Sequence, residues 1–392
     1  MNTERPSRKV TVVHSLPFWL PLTSTWLYNQ IRYLPSEIDN QIVCGWTEHR
    51  DRFDVQNIHS LRDLLGWRWK LEIGLYRLGI RRCFSHLLPT IQQCRATVLH
   101  PHWGDMAWRD LPAARRARVP HVATFYGKDV NYLPQTRPKW AKRYKELFAH
   151  ISLVLCEGSH MGKCLERWGC PSNKIQVLHL GVEVDQIAFR PRHWTRDEPF
   201  RVLIAASFRE KKGIPYALEA IGQLQDEVKR IEITIIGDAS KDPRSHPEKE
   251  RILSVLKRYR LESQTRMLGY QPYSVLFEEA YKHHLFISPS VTAADGDTEG
   301  GAPVTIIEMA ATGMPIVSTA HCDIPEVVLH GKTGLLAPER DVTALCECLR
   351  WFVRNSEHWR HMLEAGRSHI EEQYDIKKQV HKLRDIYMSF VE

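Results

Sequence analysis

The sequence predicts an α/β protein built from two Rossmann-like domains in tandem. Three observations lead there. Short β-rich runs alternate with longer amphipathic stretches, the alternation occurs twice, and a Pro/Arg/Trp-rich segment, residues 189–200, parts the two sets. Strands alternating with helices imply parallel sheets with right-handed crossovers. A length of 392 residues also exceeds what one core usually covers.

In the first set KVTVVH (9–14), QIVCG (41–45), ATVLHPH (96–102), HVATFY (121–126) and ISLVLCE (151–157) read as buried strands. Amphipathic stretches at 61–94 and 138–149 lie between them. The second set is RVLIAAS (201–207), IEITIIG (231–237), TRMLGY (265–270), HLFISPS (284–290) and PIVST (315–319). The domains are therefore placed at 1–190 and 191–374, with no internal repeat. Open parallel sheets bind ligands beyond the carboxyl ends of their strands, so the polar and glycine residues just after each strand matter most.

Composition is that of a globular protein, 43% apolar and 26% charged. No run approaches the roughly 20 apolar residues that a membrane crossing needs. VTVVHSLPFWLPL, near the start, is interrupted by His14, Pro17 and Pro21 and lacks a small-residue cleavage site, so it reads as strand and loop rather than a signal peptide. The nine cysteines fit no zinc or disulfide spacing and are expected as reduced thiols in a cytoplasmic protein. Charge is uneven. Residues 1–190 hold 27 Lys and Arg against 16 Asp and Glu, a net of +11, while the remainder nets −3. A basic first half implies an anionic partner: nucleic acid, anionic lipid or a phosphorylated acceptor.

Two stretches of the second half carry polar chemistry. After the strand at 201–207, Arg209, Lys211 and Lys212 precede Gly213 and an amphipathic helix; cations there suit a phosphate, although taken alone a solvated basic turn is the readier reading. Gly237, one strand later, marks a turn or a close backbone approach. In TEGGAPVTIIEM (298–309), Pro303 suits the first helical position and Gly313 the stop. Gly300, Gly301 and Ala302 would then present bare N–H groups at the positive end of a helix, between Glu299 and Glu308. A carboxylate accepts from vicinal diols, so the pair suits a sugar and a ribose, and the alternative is a plain turn before an exposed helical glutamate.

The block SPSVTAADGDTEGGAPVTIIEMAATGMPIVST with IPEVVLHGKTGLLAPERD resembles the donor-binding region of the family 4 retaining glycosyltransferases of GT-B fold. REKKG, CEGSHMGKCLERWGCPSNKIQVLHLGVEVDQIAFRP and LPLTSTWLYNQIRYLP agree in order and spacing. With VLHPHWGD and ATFYGKDV, the last is similar to the branch that builds exopolysaccharide and lipopolysaccharide. The resemblance covers nearly the whole chain. It implies two Rossmann-like domains facing across a cleft, with 375–392 packing back on the first. It further implies a nucleotide diphosphate sugar as donor and no metal or other cofactor.

The resemblance places Glu299 toward the donor sugar, Glu308 toward the ribose, and Lys212 with Arg209 toward the diphosphate. Gly300, Gly301 and Ala302 would face sugar and phosphates, with Tyr270 and Gln271 near the nucleobase. Three departures stand out: eight residues separate the glutamates where seven are usual, Ser207 stands where the family's arginine falls, and Tyr126, the first domain's catalytic candidate, takes the place of a common histidine near the reacting carbon, where it can donate a hydrogen bond but not carry that histidine's positive charge. On the acceptor side the candidates are His102, Asp129, Ser24 and Thr25.

A metal at His100, His102 and Asp129 is weighed against strand-capping or sugar-binding histidines, and the second is preferred; His283–His284 and His321–Cys322–Asp323 are read the same way. The basic aromatic stretches 65–83 and 137–148 suit an anionic membrane surface better than nucleic acid, for which no motif is present, and a solvated face with some aromatic packing is the other reading. The expectation is a retaining, metal-independent transferase acting on a glycan or lipid-linked saccharide at the cytoplasmic face of the plasma membrane. An inactive GT-B scaffold and a nucleotide-sugar epimerase are the alternatives.

Overall fold

The computed structural model describes residues 9–21 and 24–391. Two compact units divide the chain: residues 1–181 with 376–392, and residues 182–375. Residues 182–190, counted with the first domain on sequence grounds, cluster with the second unit.

In the first unit the strands are β1 (Val10–Leu16), β2 (Ile38–Cys44), β3 (Ile58–Ser60), β4 (Val98–Pro101), β5 (Val122–Thr124), β6 (Leu153–Cys156) and β7 (Ile175–Val177). All pair in parallel, in the orders β3-β2-β1-β4 and β5-β6-β7. Single bridges, Leu99 to His121 and His102 to Thr124, join the two rows. In the second unit β8 (Phe200–Ala205), β9 (Ile231–Ile236), β10 (Thr265–Gly269), β11 (Leu285–Ser288), β12 (Ile316–Thr319) and β13 (Leu335–Ala337) form one parallel sheet ordered β10-β9-β8-β11-β12-β13. Strand order reverses between β1 and β4 and between β8 and β11. Those two switch points are where each sheet opens a crevice at its carboxyl edge.

The ten strands read from sequence all form; β1, β2 and β8 run one to three residues beyond the stretches read at one end, and the other seven are one to three residues shorter. Three were missed. β3, β7 and β13 have three residues each, too few for a periodic signal. The stretch 61–94 is not one helix but Leu61–Leu65, Trp69–Leu78 and Leu87–Gln93, separated where Gly66 and Gly79 take positive φ. The stretch 138–149 forms Lys139–His150, whose Trp140, Tyr144, Leu147 and Phe148 are buried against Phe125 and Val154. Its aromatic residues therefore belong to the core, and only its lysines and neighbouring polar groups face water.

The closing helix Ile376–Met388 packs Ile376, Val380, Leu383 and Tyr387 onto Val10 and Val12 of β1. A Cβ on Gly181 would lie 2.5 Å from the Ile376 Cα, so the segment leaving this unit touches the segment returning to it, backbone against backbone. No disulfide joins any of the nine cysteines.

Gly213 caps the helix Ile214–Leu224 at φ 62°, and a Cβ there would sit 1.9 Å from the Pro289 carbonyl oxygen. Gly213→Ala is expected to cost well over the roughly 1 kcal/mol of a positive-φ penalty alone. Gly66→Ala, at φ 54° with open space around it, serves as the comparison. Urea unfolding of both variants measures the difference.

Candidate active site

The second unit's site forms at the switch point. Lys212 follows β8 in a short turn, and Glu299 lies in the loop after β11. The topology thus closes a sequence gap of 87 residues: Lys212 Nζ donates to Glu299 Oε2 at 2.8 Å, with both side chains largely buried. Ser290 Oγ donates to the other oxygen at 2.8 Å. Burial alone would raise the Glu299 pKa. The charges of Lys212 and Lys211, with the Lys212 hydrogen bond, overcome it and hold the carboxyl at about 2. The Glu299 N–H donates to His321 Nε2 at 3.2 Å, and His321 Nδ1 in turn donates to Glu339 at 2.7 Å. That chain fixes the imidazole's tautomer.

Arg209 and Lys211 are occupied differently. Arg209 bonds Asp242 at 2.9 Å and Asp297 at 2.7 Å, while Lys211 reaches Asp297 at 3.2 Å and the Thr298 carbonyl at 2.7 Å. Arg244 is a second cation on Asp242 and the third in the network. Arg209 therefore stands within an ion-pair network that ties the turn after β8 to the loop after β11. The Ser207 side chain brings no charge here; its carbonyl accepts from the Arg209 amide at 2.9 Å.

Glu308 is not an exposed helical residue. It lies in the helix Val304–Ala311, buried, with Tyr273 donating to it at 2.6 Å. Burial pushes its pKa up to about 7, against the opposing effect of the tyrosine hydrogen bond. Glu299, beside a lysine, is thus ionised well below neutral pH, whereas Glu308, buried without a cation, titrates near it. Pro303 sits one position earlier than expected, as the extended N-cap at ψ 127°. Gly300, at φ 83°, turns the chain just ahead, while Gly301 is buried and Ala302 half-buried.

Gly237 is explained by its own neighbours. At φ 130° its missing Cβ leaves room for the Ala206 carbonyl, which would otherwise be 1.9 Å away. Tyr270 is exposed and donates to the Asp238 carbonyl at 2.9 Å. Gln271 is exposed and bonds the carbonyl of Leu268. Sequence alone offered no signal for Tyr273, Ser290, Asp242 or Asp297, whose importance lies in what they touch.

In the first unit His102 is fully buried, its Nδ1 2.7 Å from the Tyr126 hydroxyl. Asp129 is a clasp: its two oxygens accept from the amides of Tyr126 (2.8 Å) and Gly104 (2.7 Å), which leaves the carboxylate committed to backbone. Burial nonetheless raises its pKa to about 7. Ser24 is buried and caps the helix Thr25–Arg32 without a side-chain hydrogen bond, and Thr25 is half-buried. The histidine trio that comes together is His14, His100 and His102, and Asp129 is not part of it. His14 and His102 bond each other, His14 also meets Asn40, and His100 meets Thr124 and Tyr387. All six ring nitrogens thus have protein partners.

Residues 23–186 match the family model described as Glycosyltransferase Family 4, and residues 185–369 match Glycosyl transferases group 1. WcaL of Escherichia coli (strain K12), described as a colanic acid biosynthesis glycosyltransferase, is 31% identical over 293 residues, 73% of this chain and 68% of WcaL. AmsK of Erwinia amylovora, an amylovoran biosynthesis glycosyltransferase, is 31% identical over 65% of this chain and 60% of its own length. HepE of Anabaena, crystallised with UDP and glucose, superposes with a TM-score of 0.75 at 13% identity, covering 97% of this chain and 100% of HepE. The lipopolysaccharide outer core galactosyltransferase WaaB gives 0.70 at 13% identity, covering 97% and 99%. Fold and site together define a glycosyltransferase of the GT-B fold class. Within that class the chain belongs to glycosyltransferase family 4.

Removing Lys212 leaves Glu299 charged and buried, which typically costs about 3–5 kcal/mol. Lys212→Met is expected to destabilise on that scale, and Lys212→Met with Glu299→Gln to cost less than the two single changes combined. Urea unfolding of all four proteins reads the coupling, and strict additivity would show that the pair is not formed.

Proposed function

We propose that this protein is a retaining glycosyltransferase that moves a sugar from a nucleotide diphosphate sugar to a glycan or lipid-linked saccharide in cell-surface polysaccharide assembly. The observation that carries the reading is the Lys212–Glu299 pair at the β8/β11 switch point, beside the amide end of the helix Val304–Ala311. A diphosphate there would meet Lys212 and the helix N-terminus, with Arg209 close behind in its network, and would need no metal ion to offset its charge. Glu299 would accept from donor sugar hydroxyls and Glu308 from the ribose. Gly300, Gly301 and Ala302 would line sugar and phosphates, and Tyr270 and Gln271 the nucleobase.

In the reaction the bond from the anomeric carbon to the phosphate oxygen breaks and its electron pair leaves with the nucleoside diphosphate. The acceptor oxygen attacks from the same face, and its proton passes to the departing phosphate oxygen. Cationic side chains placed in advance stabilise the charge that develops on departure. The names of WcaL and AmsK support exopolysaccharide assembly as the setting, and the UDP and glucose held by HepE support a nucleotide-sugar donor.

An anionic membrane would bring the lipid-linked acceptor. Support comes from 65–83 and its immediate neighbours: Leu64, Trp67, Leu71, Leu78 and Ile80 are each more than half exposed, interleaved with exposed Arg62, Arg68, Lys70, Arg77 and Arg81. Exposed apolar groups among cations are the chemistry of an interfacial surface. No helix among the described residues is long and apolar enough to cross a membrane, so attachment at the inner face of the plasma membrane would be peripheral. The stretch 137–148 contributes charge alone, its aromatic residues being buried.

Three measurements test this. Thermal midpoints with UDP, GDP, ADP and TDP should rise for one base, by about 2.7 kcal/mol of native-state stability at 100 times its dissociation constant. The rise should vanish in Lys212→Ala, judged against that variant without ligand. No shift for any nucleotide at millimolar concentration would move an inactive scaffold to first place.

Ribose hydroxyls prefer an ionised carboxylate, so nucleotide affinity should strengthen as pH rises through about 7, where Glu308 loses its proton. Glu308→Gln should flatten that profile. Finally, the protein should co-sediment with vesicles containing anionic lipid, and Trp67→Glu with Leu71→Glu should release it. Equal binding to neutral vesicles would overturn the charge component.

A further inference from the structure

Arg192 is a buried cation whose hydrogen bonds all go to uncharged oxygens. Its Nε donates to the His283 carbonyl at 3.0 Å, and its Nη1 to the carbonyls of Arg190 and Thr312. Its Nη2 donates to the Ala280 carbonyl at 2.9 Å and to Thr312 Oγ1 at 3.2 Å. Ala280 and Thr312 stand at the carboxyl ends of the helices Tyr273–Ala280 and Val304–Ala311, whose dipoles favour a cation there. Burial pulls the Arg192 pKa down to about 10, which leaves it charged at neutral pH. Among the described residues no carboxylate lies within ion-pair distance of it.

A cavity of about 560 Å³ opens beside this charge, lined by four cations, Arg190, Arg192, Arg201 and Lys282, and by three histidines. Among the described residues no carboxylate lines it. Arg201 is paired with Glu198 and Glu232, and Lys282 shares Glu279 with Arg266. Arg190 is exposed and meets no carboxylate; its guanidinium lies 4.9 Å from the centre of the Tyr281 ring, and that of Arg192 lies 5.0 Å from it. His283 and His284 add no charge, because burial lowers both, His284 to about 4. His193 is exposed at the rim.

The cavity belongs to the amino edge of the second unit's sheet. Arg201 is the second residue of β8, and His284 immediately precedes β11. Lys212 and Glu299 follow the carboxyl ends of the same two strands, a strand's length away, roughly 17–20 Å. The volume is in the range of small-molecule sites. None of the exposed large apolar side chains among the described residues lines it, so it offers a lipid tail nothing to enter.

We propose that this cavity is a second ligand site, which takes the phosphate group of a soluble phosphomonoester such as a sugar phosphate. Arg190 and Lys282 meet the phosphate oxygens and His193 adds a donor. The buried Arg192 supplies charge that its own hydrogen bonds do not cancel, and a dianion beside it offsets the cost of burying that charge. The assignment stands on the cavity and its charges, independently of the transfer reaction.

Isothermal titration of the full chain with ribose 5-phosphate tests it, at constant ionic strength and with the donor site saturated by its nucleotide. One saturable site is expected, from which inorganic phosphate displaces the ester. Arg190→Ala and Lys282→Ala change exposed side chains and should each raise the dissociation constant about tenfold, a loss of about 1.4 kcal/mol. Arg190→Lys should recover part of the loss. These positions are chosen because Arg192→Met would strip donors from two helix ends and confound binding with stability.

Heat that disappears when the nucleotide is present, equal constants in wild type and both alanine variants, or no saturable binding overturns the site. Should no nucleotide bind, the same titration runs without it, so a failure of the glycosyltransferase reading leaves this test intact. Arg190→Ala should still co-sediment with phosphatidylglycerol vesicles as the wild type does. Loss of that sedimentation would assign the phosphate to a lipid headgroup and overturn the soluble ligand.

Discussion

The second unit's chemistry depends on one ion pair, Lys212 with Glu299. Neither charge could be kept in so dry a place alone, because an isolated buried ion shifts its pKa and neutralises. Each makes the other's charge tolerable, and together they leave a cation and an anion at the carboxyl edge of a parallel sheet. The network of Arg209, Lys211, Asp242 and Asp297 surrounds that pair and joins the same two loops. The loop after β11 is thereby fixed by charges borrowed from the turn after β8.

Glu308 shows what happens when the partner is missing. It is buried beside a phenol instead of an ammonium, and its proton stays on up to about pH 7. Two carboxylates nine positions apart thus titrate in different pH ranges by environment alone. A site with one fixed anion and one titrating near neutrality can bind two polyols differently, which a pair of like glutamates could not do.

The first unit follows another rule. Its polar centre is uncharged: neutral histidines, phenols and an amide, linked into chains in which each group has a partner. Such networks hold geometry and hydrogen-bond direction where a charge would be costly. Asp129 belongs to this logic, since its oxygens serve two amides. Its candidacy as an acceptor-side group rested on position after Tyr126, which sequence shows, and failed to anticipate the clasp, which only the fold brings about.

What the sequence determined by itself was everything local or repetitive. Long β-branched runs such as IEITIIG specify buried strands whatever surrounds them, and their alternation with helices dictates a parallel sheet. The glycines, cations and glutamates after β8 and β11 were legible because sheet topology makes strand ends important in advance. What only tertiary structure decided was pairing across distance: Lys212 with Glu299, Tyr273 with Glu308, and His14 with His102 at a separation of 88 residues. It also decided burial, turning the aromatic face of Lys139–His150 inward while leaving Trp67 and Leu71 in water. Both helical stretches carry similar residues at similar spacing, so pattern could not separate them. The physical reason is that charge state and exposure are set by neighbours, and a residue's neighbours in space are a property of the folded chain.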